Sequence, residues 1–521
     1  MPLRALFALL RPLRVQCLLL ALLLPAGIAS AQRQGANPTQ PPHQPGAQTE
    51  TGGVKPPPLG PPPRLHLPPI VQKTLPNGLR ILLLEDHTQP ALWLRLAVPA
   101  GTIRDPKDRV GLAEMAADLL NKSTTTRTAT QIADTVDSLG ATLSASAEDD
   151  FLIVAASGLS VYTDALFDLA ADITLHPTFP EAELERARTR TLNAIRYDLS
   201  QPATMASAAF DRLVYGAHPY GNYTSGTPAT LRAITREDLQ KFHDTYFAPN
   251  AATLFLVGDI TPEQAEQKAQ AAFGVWERKE VPSPPSPPTP GPAAHATRPQ
   301  ITLIDRPGAA QTEIRIGTLT PGYRDPNRIV GTVATAVLGL GQFEGRLTKE
   351  IRVKRGLTYG VASYFSRNAQ AGTFQISTFT KNASTAEVIQ LALQEGLKLS
   401  RELTPPEELQ ERKDFLNGYF AVSVATPPGV LTRLIPAVLY GNGPSDLTQY
   451  TQRVQAVTPQ QIRTIMSSLN LEHPQIVLVG DAKAIESAVR PLGSVTVIPF
   501  NAVNLLSPTL QGSPTTSALS R

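Results

Sequence analysis

Two stretches of the chain are near copies of each other: Leu-Phe-Leu-Val-Gly-Asp at residues 254–259 and Ile-Val-Leu-Val-Gly-Asp at residues 476–481. The tripeptide Arg-Asp-Pro also occurs twice, at residues 104–106 and at residues 324–326. In both cases the second copy follows the first at nearly the same distance along the chain, and two landmarks with matching offsets indicate an internal repeat. Because 521 residues are also too many for one compact core, the sequence predicts two homologous lobes.

Each copy predicts a similar order of strands and helices. Apolar runs predict two opening strands in each lobe, at residues 79–84 and 92–98 and at residues 300–304 and 311–319. Helical periodicity in the first lobe covers residues 110–121, 129–139, 161–175 and 180–199, and residues 142–158 alternate as in a β-hairpin. Each lobe closes with a helix, the Val-Gly-Asp strand and a further helix. Strands at both ends with helices between favour α+β sandwich lobes over a doubly wound parallel sheet.

Proline-rich stretches separate the predicted lobes. Residues 32–68 form a Pro-rich spacer, and residues 279–299 form a linker with eight prolines. A polyproline run over residues 282–292 would span roughly 34 Å at about 3.1 Å per residue, and such a spacer is compatible with lobe movement. These breaks delimit lobes at residues 69–278 and 300–500. The tail, residues 501–521, is expected to fray from about residue 507.

Residues 1–31 predict a secretory signal peptide. Arg4, Arg11 and Arg14 precede an apolar run at residues 15–24, and Ala-Ser-Ala at residues 29–31 provides a cleavage site. The run is shorter than the about 20 residues that cross a bilayer, which disfavours the alternative of a retained anchor. No later segment is long and apolar enough to span a membrane. We therefore expect an exported protein that is periplasmic or associated with the cell envelope.

The chain without its signal is nearly neutral and has no thiol. Removing three arginines lowers Lys plus Arg from 47 to 44, which equals the 44 Asp plus Glu. Without a persistent basic surface, nucleic-acid binding is not expected. The single cysteine, Cys17, lies inside the signal. The mature chain can therefore form neither a disulfide nor a thiolate zinc site.

A series of short motifs runs along the chain in a fixed order. They are Pro-Asn-Gly-Leu at 76–79, Ala-Gly-Thr at 100–102 with Arg-Asp at 104–105, Gly-Leu-Ala at 111–113, Lys-Ser-Thr at 122–124, His-Pro-Tyr-Gly at 218–221, Tyr-Phe-Ala-Pro-Asn at 246–250 and Val-Gly-Asp at 257–259. In this order they resemble the insulinase/pitrilysin zinc metallopeptidases, including the processing-peptidase branch. The resemblance covers about residues 70 to 500 and implies two insulinase-like lobes that form a clamshell.

The zinc motif that the resemblance implies is absent. In active members of the family the helix after Gly-Leu-Ala carries His-x-x-Glu-His, in which two histidines bind zinc and the glutamate activates water. The corresponding positions here are Glu114, Ala117 and Asp118, and the third ligand of the family falls at Ala194. Two carboxylates without a third ligand or a general base do not make a catalytic zinc site. We therefore expect no metal bound by this chain and solvated side chains at 114 and 118; a residual metal site is the alternative.

A second functional element of the family is retained in the second lobe. Residues 350–360 read Glu-Ile-Arg-Val-Lys-Arg-Gly-Leu-Thr-Tyr-Gly, similar to the Arg…Gly-Leu-x-Tyr segment of the family. By that resemblance Arg352 and Tyr359 reach an active site from the opposite lobe. A guanidinium and a phenol can donate hydrogen bonds to a carbonyl that becomes an oxyanion. The structural alternative is that Arg352 ends a helix and Tyr359 packs in a strand.

Two further features are interpreted as structural. The glycines of residues 339–345 resemble a substrate-guiding loop only weakly, and isolated glycines are more often turns. His218 is interpreted as a turn residue without a catalytic role.

These observations predict a zinc-less, non-catalytic subunit. It would donate Arg352 and Tyr359 to a cleft shared with a homologous zinc-bearing peptidase subunit, and the zinc and the catalytic motif would belong to that partner. The resemblance implies extended peptides as substrates. The alternative is a peptide-binding or scaffold protein with no proteolytic role, and an autonomous metallopeptidase is disfavoured.

Overall fold

The computed structural model describes residues 68–289, 296–340 and 344–512. The predicted signal peptide, Cys17 and residues 32–67 of the predicted spacer lie outside the described residues.

The first lobe is built on a six-stranded sheet. Its strands are β1 (Ile70–Thr74), β2 (Arg80–Glu85), β3 (Ala91–Val98), β4 (Thr142–Ala147), β5 (Leu152–Leu159) and β6 (Thr253–Gly258). Their order across the sheet is β1-β2-β6-β3-β5-β4. Only the pair β2 and β6 is parallel. Strand β6, the first copy of the repeated stretch, is buried along its whole length because it lies inside the sheet.

The second lobe repeats this sheet with one change at the edge. Its strands are β7 (Gln300–Asp305), β8 (Gln311–Pro321), β9 (Val361–Arg367), β10 (Ala371–Lys381), β11 (Gln475–Gly480) and β12 (Ser494–Pro499). The order is β12-β7-β11-β8-β10-β9, with β11 parallel to β7 and antiparallel to β8. Strand β11 thus takes the place of β6. The edge strand β12 is the last strand of its lobe and is parallel to β7, whereas β1 is the first strand of its lobe and is antiparallel to β2.

The helices lie between the strands as the sequence pattern predicts. The first lobe contains α1 (Leu112–Leu119), α2 (Ala129–Ser138), α3 (Thr163–Leu175), α4 (Glu181–Ser200), α5 (Pro202–Tyr215), α6 (Pro228–Ala233), α7 (Arg236–Tyr246) and α8 (Pro262–Phe273). The second contains α9 (Arg328–Leu338), α10 (Thr385–Arg401), α11 (Pro406–Ser423), α12 (Pro427–Leu439), α13 (Ser445–Thr448), α14 (Tyr450–Gln455), α15 (Pro459–Ser468) and α16 (Ala482–Val489). The strands, helices and hairpin that the sequence locates are confirmed, with only small differences at their ends.

Each sheet is covered on one face by a helix of the other lobe. Helix α5 packs on β8 and β11, and α12 packs on β3 and β6. The apolar core of the first lobe therefore includes Val477 and Val479, while Phe255 and Val257 join the core of the second. The turn between β4 and β5 also crosses the junction, where Asp150 accepts a hydrogen bond from the backbone N–H of Ala369 at 2.8 Å. The predicted two-lobed α+β clamshell is confirmed, with a core shared between its lobes.

The linker is hydrogen-bonded to both lobes. Arg104 Nη1 donates to the carbonyl of Pro282 at 2.7 Å, and Gln370 Nε2 donates to the carbonyl of Pro285 at 2.7 Å. Polyproline segments make no internal hydrogen bonds, so their carbonyls are available to such donors. The described part of the linker, residues 279–289, is therefore tied to the lobes at two of its carbonyl groups. Residues 290–295 lie outside the described residues.

The start of the C-terminal tail packs against the first lobe. Val503, Leu505 and Leu510 are buried in the apolar core of that lobe. The buried guanidinium of Arg212 donates from Nε to the carbonyl of Leu505 at 2.7 Å and from Nη1 to the carbonyl of Gly216 at 2.7 Å. The expectation of fraying from residue 507 is wrong as far as residue 512, because apolar side chains anchor this segment. Residues 513–521 are not described.

No single helix of the described residues has the length and apolar composition to cross a membrane, although the pair α11 and α12, bent by 112°, meets those criteria together.

Candidate functional site

Helix α1 carries the positions of the missing zinc motif, and Asp105 fixes its N-terminus. The Asp105 carboxylate accepts hydrogen bonds from the backbone N–H of Gly111 at 2.7 Å and of Ala113 at 2.8 Å. Burial raises the pKa of Asp105 to about 8, against the effect of these two donors. Gly111 has φ +98°, and a Cβ there would lie 2.9 Å from the carbonyl oxygen of Ser225. The first Arg-Asp-Pro motif therefore positions the helix.

Three of the four motif positions open into one pocket. This pocket, about 340 Å³ in volume, lies between α1 and α4 and is lined by Glu114, Asp118 and Ala194. Ala117 is instead buried in the apolar core of the first lobe. All residues that line the pocket belong to the first lobe, and neither Arg352 nor Tyr359 is among them. The chain therefore does not bring its two groups of predicted site residues together.

The pocket contains a cation that the chain itself supplies. Arg190 Nη2 donates to the carboxylate of Asp118 in a short ion pair. Arg190 precedes Ala194 by one turn of α4, so both residues lie on the same face of the helix. Asp118 keeps 41% of its side chain exposed and Arg190 keeps 58%, so this is an ion pair at the surface of the pocket. Sequence reasoning missed Arg190, and its i, i+4 spacing from Ala194 was the signal that could have found it.

Two further ionisable groups lie beside Glu114. Asp198 lines the same pocket, and Tyr223 is close enough to feel its charge. Burial raises the pKa of Tyr223 to about 12, and the charges of Asp198 and Glu114 add to the rise. Asp198 follows Ala194 by one turn of α4, so the same helical face supplies Arg190 and Asp198. This acid was also missed in the sequence.

The residues of the pocket do not fit a catalytic zinc ion. Such an ion takes three protein ligands, usually imidazoles with a carboxylate, and keeps one position for water. The pocket offers carboxylates without an imidazole, and Asp118 is ion-paired with Arg190. Within residues 68–289, 296–340 and 344–512, no group of three or more His, Cys, Asp or Glu side chains is placed to hold a metal. A cation bound at Asp118 would have to displace the guanidinium.

Arg352 and Tyr359 lie on the surface of the second lobe, on either side of a tight turn. Arg352 belongs to a π-helical turn, Thr348–Val353, and is partly buried. The chain reverses at Gly356, which has φ +64° and whose N–H donates to the carbonyl of Arg352 at 2.9 Å. Tyr359 precedes β9 and is 81% exposed. The alternative in which Tyr359 packs in a strand is therefore wrong, whereas Arg352 does lie at the end of a helical turn.

Neighbouring residues hold this segment in place. Ile351 is fully buried, and its carbonyl accepts a hydrogen bond from the N–H of Leu357 at 3.0 Å. The carbonyl of Leu357 accepts a hydrogen bond from the hydroxyl of Thr380 at 2.6 Å. Glu350 pairs with Lys354 and Arg355, and their hydrogen bonds lower the pKa of Glu350 to about 2. The segment is thus anchored from within while the phenol of Tyr359 faces solvent.

Comparison with known proteins identifies the family. Residues 80–227 match the family model of insulinase, peptidase family M16, and residues 233–416 match that of the peptidase M16 inactive domain. The chain belongs to the insulinase family of peptidases. This insulinase-family chain is 25% identical to an uncharacterized zinc protease of Mycobacterium leprae, over 77% of its length and 89% of the relative's. It is 23% identical to an uncharacterized zinc protease of Bacillus subtilis, over 79% of its own length and 98% of the relative's.

Solved structures of related proteins share the fold. A peptidase M16 inactive domain protein from Pseudomonas fluorescens superposes with a TM-score of 0.74 at 26% identity, covering 80% of this insulinase-family chain and 99% of that chain. A protease from Helicobacter pylori gives a TM-score of 0.73 at 18% identity, with coverage of 80% and 100%. At that identity the second likeness concerns the fold alone.

The other predicted features of this insulinase-family chain are structural or lie outside the described residues. His218 is buried, and its Nδ1 accepts a hydrogen bond from the N–H of Tyr220 at 3.2 Å at the start of a 3₁₀ turn. Burial lowers the pKa of His218. Its interpretation as a turn residue is confirmed. Of the glycine-containing segment, residues 341–343 are not described.

The outer face of α11 exposes apolar side chains that sequence reasoning missed. Phe415, Tyr419 and Val422 follow one another at i, i+4 and i+7 and are exposed, with the two rings stacked 6.4 Å apart. The core-facing stripe of the same helix is formed by Leu416 and Phe420, which are buried. A second apolar stripe on a helix is not required by the core of its own lobe, and exposed patches of this kind are typical of interaction surfaces.

Proposed function

We propose that this insulinase-family chain is the zinc-less subunit of a two-chain peptidase, to which it supplies Arg352 and Tyr359. The observation that carries the proposal is the 81% exposure of Tyr359. A phenol that contacts so little of its own chain contributes little to packing, yet it stands on an anchored segment that matches the family. The positions of the pair support a role in a site completed by another molecule.

The chemistry of the pair suits the binding of a peptide carbonyl. A guanidinium is a permanently charged donor, and a phenol donates one hydrogen bond. Directed at the carbonyl oxygen of a scissile bond, both interactions strengthen as negative charge develops there. Zinc bound by the partner would supply the activated water. The family resemblance makes extended peptides the expected substrates.

The state of the chain's own pocket supports this division of labour. Ala117 carries no group that could accept a proton from water, and Asp118 is paired with Arg190. The zinc site of the proposed enzyme is therefore assigned to the partner. The apolar face formed by Phe415, Tyr419 and Val422 supports assembly with a second chain, because aromatic side chains are enriched in protein interfaces.

The alternative function is a peptide-binding or scaffold protein without proteolysis. The same exposed face of α11 favours it, since a scaffold also needs a docking surface. The two functions differ in what they require of Tyr359. A shared active site needs its hydroxyl, and a scaffold does not.

The proposal is tested by purifying the chain from its native host with an affinity tag and analysing the complex for zinc. We expect a homologous chain with His-x-x-Glu-His to be recovered, one zinc per pair, and peptide cleavage by the pair only. A stable pair in which Arg352→Ala and Tyr359→Phe cleave as fast as the unmodified protein would support the scaffold. Chelator-sensitive hydrolysis by the isolated chain would exclude both.

We further propose that the protein is exported. The proposal rests on the basic, apolar and small-residue order of residues 1–31. Intact mass measurement of the protein from its host should show a chain that starts at Gln32. A mature protein that retains Met1 would contradict it.

A further inference from the structure

Arg95 and Arg315 occupy equivalent places in the two lobes. Arg95 in β3 lies opposite Phe255 in β6, and Arg315 in β8 lies opposite Val477 in β11. Each arginine donates from Nη1 to the carbonyl of the preceding residue, at 2.8 Å and 3.0 Å respectively. Because each sheet is covered by a helix of the other lobe, each arginine faces such a helix.

All three nitrogen atoms of the Arg315 guanidinium donate hydrogen bonds. Nε donates to the hydroxyl of Ser207 at 3.1 Å and Nη2 to the carbonyl of Ala203 at 3.0 Å, both in α5. Nη1 also pairs with Glu313 at 3.0 Å. The charge of Arg315 opposes the rise in the pKa of nearby Asp211. Arg315 thus closes the gap between the sheet and α5.

The positions around Arg95 lack the corresponding acids. Helices α5 and α12 both begin with proline and both lead to Tyr-Gly, at residues 215–216 and 440–441. When the two Tyr-Gly pairs are aligned, the counterpart of Asp211 is Pro436. In the strands, Glu313 lies two positions before Arg315, and Trp93 lies two positions before Arg95. Trp93 is therefore the counterpart of Glu313. Within the described residues the guanidinium of Arg95 donates to two carbonyl groups, those of Leu94 and of Ala156 at 3.3 Å, and pairs with no carboxylate. Burial alone lowers its pKa.

A pocket lies beside Arg95, whereas the side chain of Arg315 bridges the corresponding space in the other lobe. A pocket of about 490 Å³ lies between the sheet of the first lobe and α12, and Arg95 lines it together with Phe151, Ile153, Leu431 and Ile435. Ile153 pairs with Ala97, two residues from Arg95 on the same face of β3. The apolar wall therefore runs from Arg95 along β5 towards the β4–β5 turn.

Charged groups of both signs line the pocket besides Arg95. Arg367 is paired with Asp325 through Nη1 at 3.2 Å, and its buried Nη2 has no hydrogen-bond partner among the described residues. Glu148 and Asp149 lie at the β4–β5 turn. The end formed by Arg95 suits one anionic group, while the carboxylates disfavour a second anionic group at the other end.

We propose that this pocket binds a linear aliphatic monocarboxylate, with its carboxylate on Arg95 and its chain along Phe151 and Ile153. A half-buried guanidinium without an acid partner gains charge-assisted, bidentate hydrogen bonds from a carboxylate. The volume lies within the range of small-molecule sites, and the apolar wall accommodates a hydrocarbon chain. The site is distinct from the pocket at α1 and independent of the proposed role of Arg352 and Tyr359.

The test is calorimetric titration of the full-length chain with dodecanoate. We expect saturable binding with one site, weakened at least about tenfold by Arg95→Gln because a charge-assisted hydrogen bond is lost. Thr432→Trp, which fills the side of the pocket formed by α12, should abolish binding although Arg95 is retained. The exposed Arg401→Gln is the matched control and should bind like the unmodified chain. Melting temperatures of all variants report whether each one is folded.

Three outcomes would overturn the proposal. They are no saturable binding of dodecanoate by the unmodified chain, equal affinity in folded Arg95→Gln, and tighter binding of dodecyltrimethylammonium than of dodecanoate. The last result would place the charged head at Glu148 and Asp149 and not at Arg95.

Discussion

The guanidinium of Arg190 is hydrogen-bonded to the carboxylate of Asp118, at a position where active insulinase-family peptidases carry a zinc-binding histidine. The position of that histidine is therefore taken by a carboxylate that is ion-paired with an arginine of α4. Ala194, on the same helical face as Arg190, has also lost the carboxylate of the third ligand. Restoring zinc binding then requires more than the motif.

Restoration of the motif should bind zinc tightly only when Arg190 is also removed. In the quadruple variant Glu114→His, Ala117→Glu, Asp118→His and Ala194→Glu, Arg190 would pair with the new carboxylate one turn away and repel the metal. We expect the additional change Arg190→Leu to raise zinc affinity at least about tenfold, or 1.4 kcal/mol. Competition titration with a chromophoric chelator measures this, and equal affinity with and without Arg190 would contradict it.

The hydroxyl of Tyr359 should matter for cleavage and not for folding. Tyr359→Phe removes one hydrogen-bond donor from a side chain that is 81% exposed. We expect kcat of the two-chain complex to fall by roughly 10²-fold, as for loss of an oxyanion donor, with the melting temperature unchanged. Steady-state kinetics and thermal unfolding on the same samples separate the effects. An unchanged kcat would count against a role of the phenol in the shared site.

The apolar face of α11 should be required for assembly. Val422→Arg places a charge on this face, and we expect it to weaken partner binding by about tenfold or more, because a buried unpaired charge is unfavourable in an interface. Val275→Arg is the matched control, since Val275 is 75% exposed and Val422 is 76% exposed. The effect is measured as the amount of partner recovered with each variant in a pull-down. Equal loss in both variants would show that the effect is not specific to α11.

The segment from residue 502 to residue 512 should stabilise the first lobe. Deleting residues 502–521 removes the buried side chains of Leu505 and Leu510 and exposes the apolar surface that they cover. It also removes the carbonyl of Leu505, which accepts a hydrogen bond from the buried guanidinium of Arg212. We expect the free energy of unfolding to fall by about 3–5 kcal/mol. A chain that ends at Gly512 keeps these contacts and is the control. Urea denaturation compares the two, and equal midpoints would contradict the packing of the tail.

Asp211 should make the protein less stable as pH rises from about 4 to about 7. Burial, with the charge of Asp149, raises the pKa of Asp211 to about 7, above its unfolded value of about 3.9. Within this window the folded state keeps a proton that the unfolded state releases, so ionisation costs stability as pH increases. We compare the free energy of unfolding of Asp211→Asn with that of the unmodified chain. The difference should grow in favour of Asp211→Asn by on the order of 1–2 kcal/mol between pH 5 and pH 8.

Chemical denaturation at a series of pH values tests the contribution of Asp211. The exposed Asp137→Asn serves as the control for replacement of an aspartate. Because burial also raises the pKa of Asp149 to about 6, part of the slope should persist in Asp211→Asn. Parallel stability curves for the unmodified chain and Asp211→Asn would show that Asp211 is ionised throughout.

The sequence by itself determined the duplicated α+β architecture, the family and the absence of the zinc ligands. These properties are local, because apolar periodicity sets strands and helices and the motif lies within one helix. The repeat did not predict that β1 and β12 complete the two sheets from opposite ends of their lobes. Neither strand belongs to the duplicated landmarks, so pairing with β2 and β7 decides their places.

Only the tertiary structure decided what surrounds the altered positions. Asp118 and Arg190 are far apart in the chain and meet because α1 packs against α4. Tyr359 and its buried neighbours are adjacent in sequence, yet exposure depends on the fold around them. The pocket beside Arg95 lies where Trp93 and Pro436 take the places that Glu313 and Asp211 have beside Arg315. Contacts between distant segments follow from packing, which no local pattern of residues encodes.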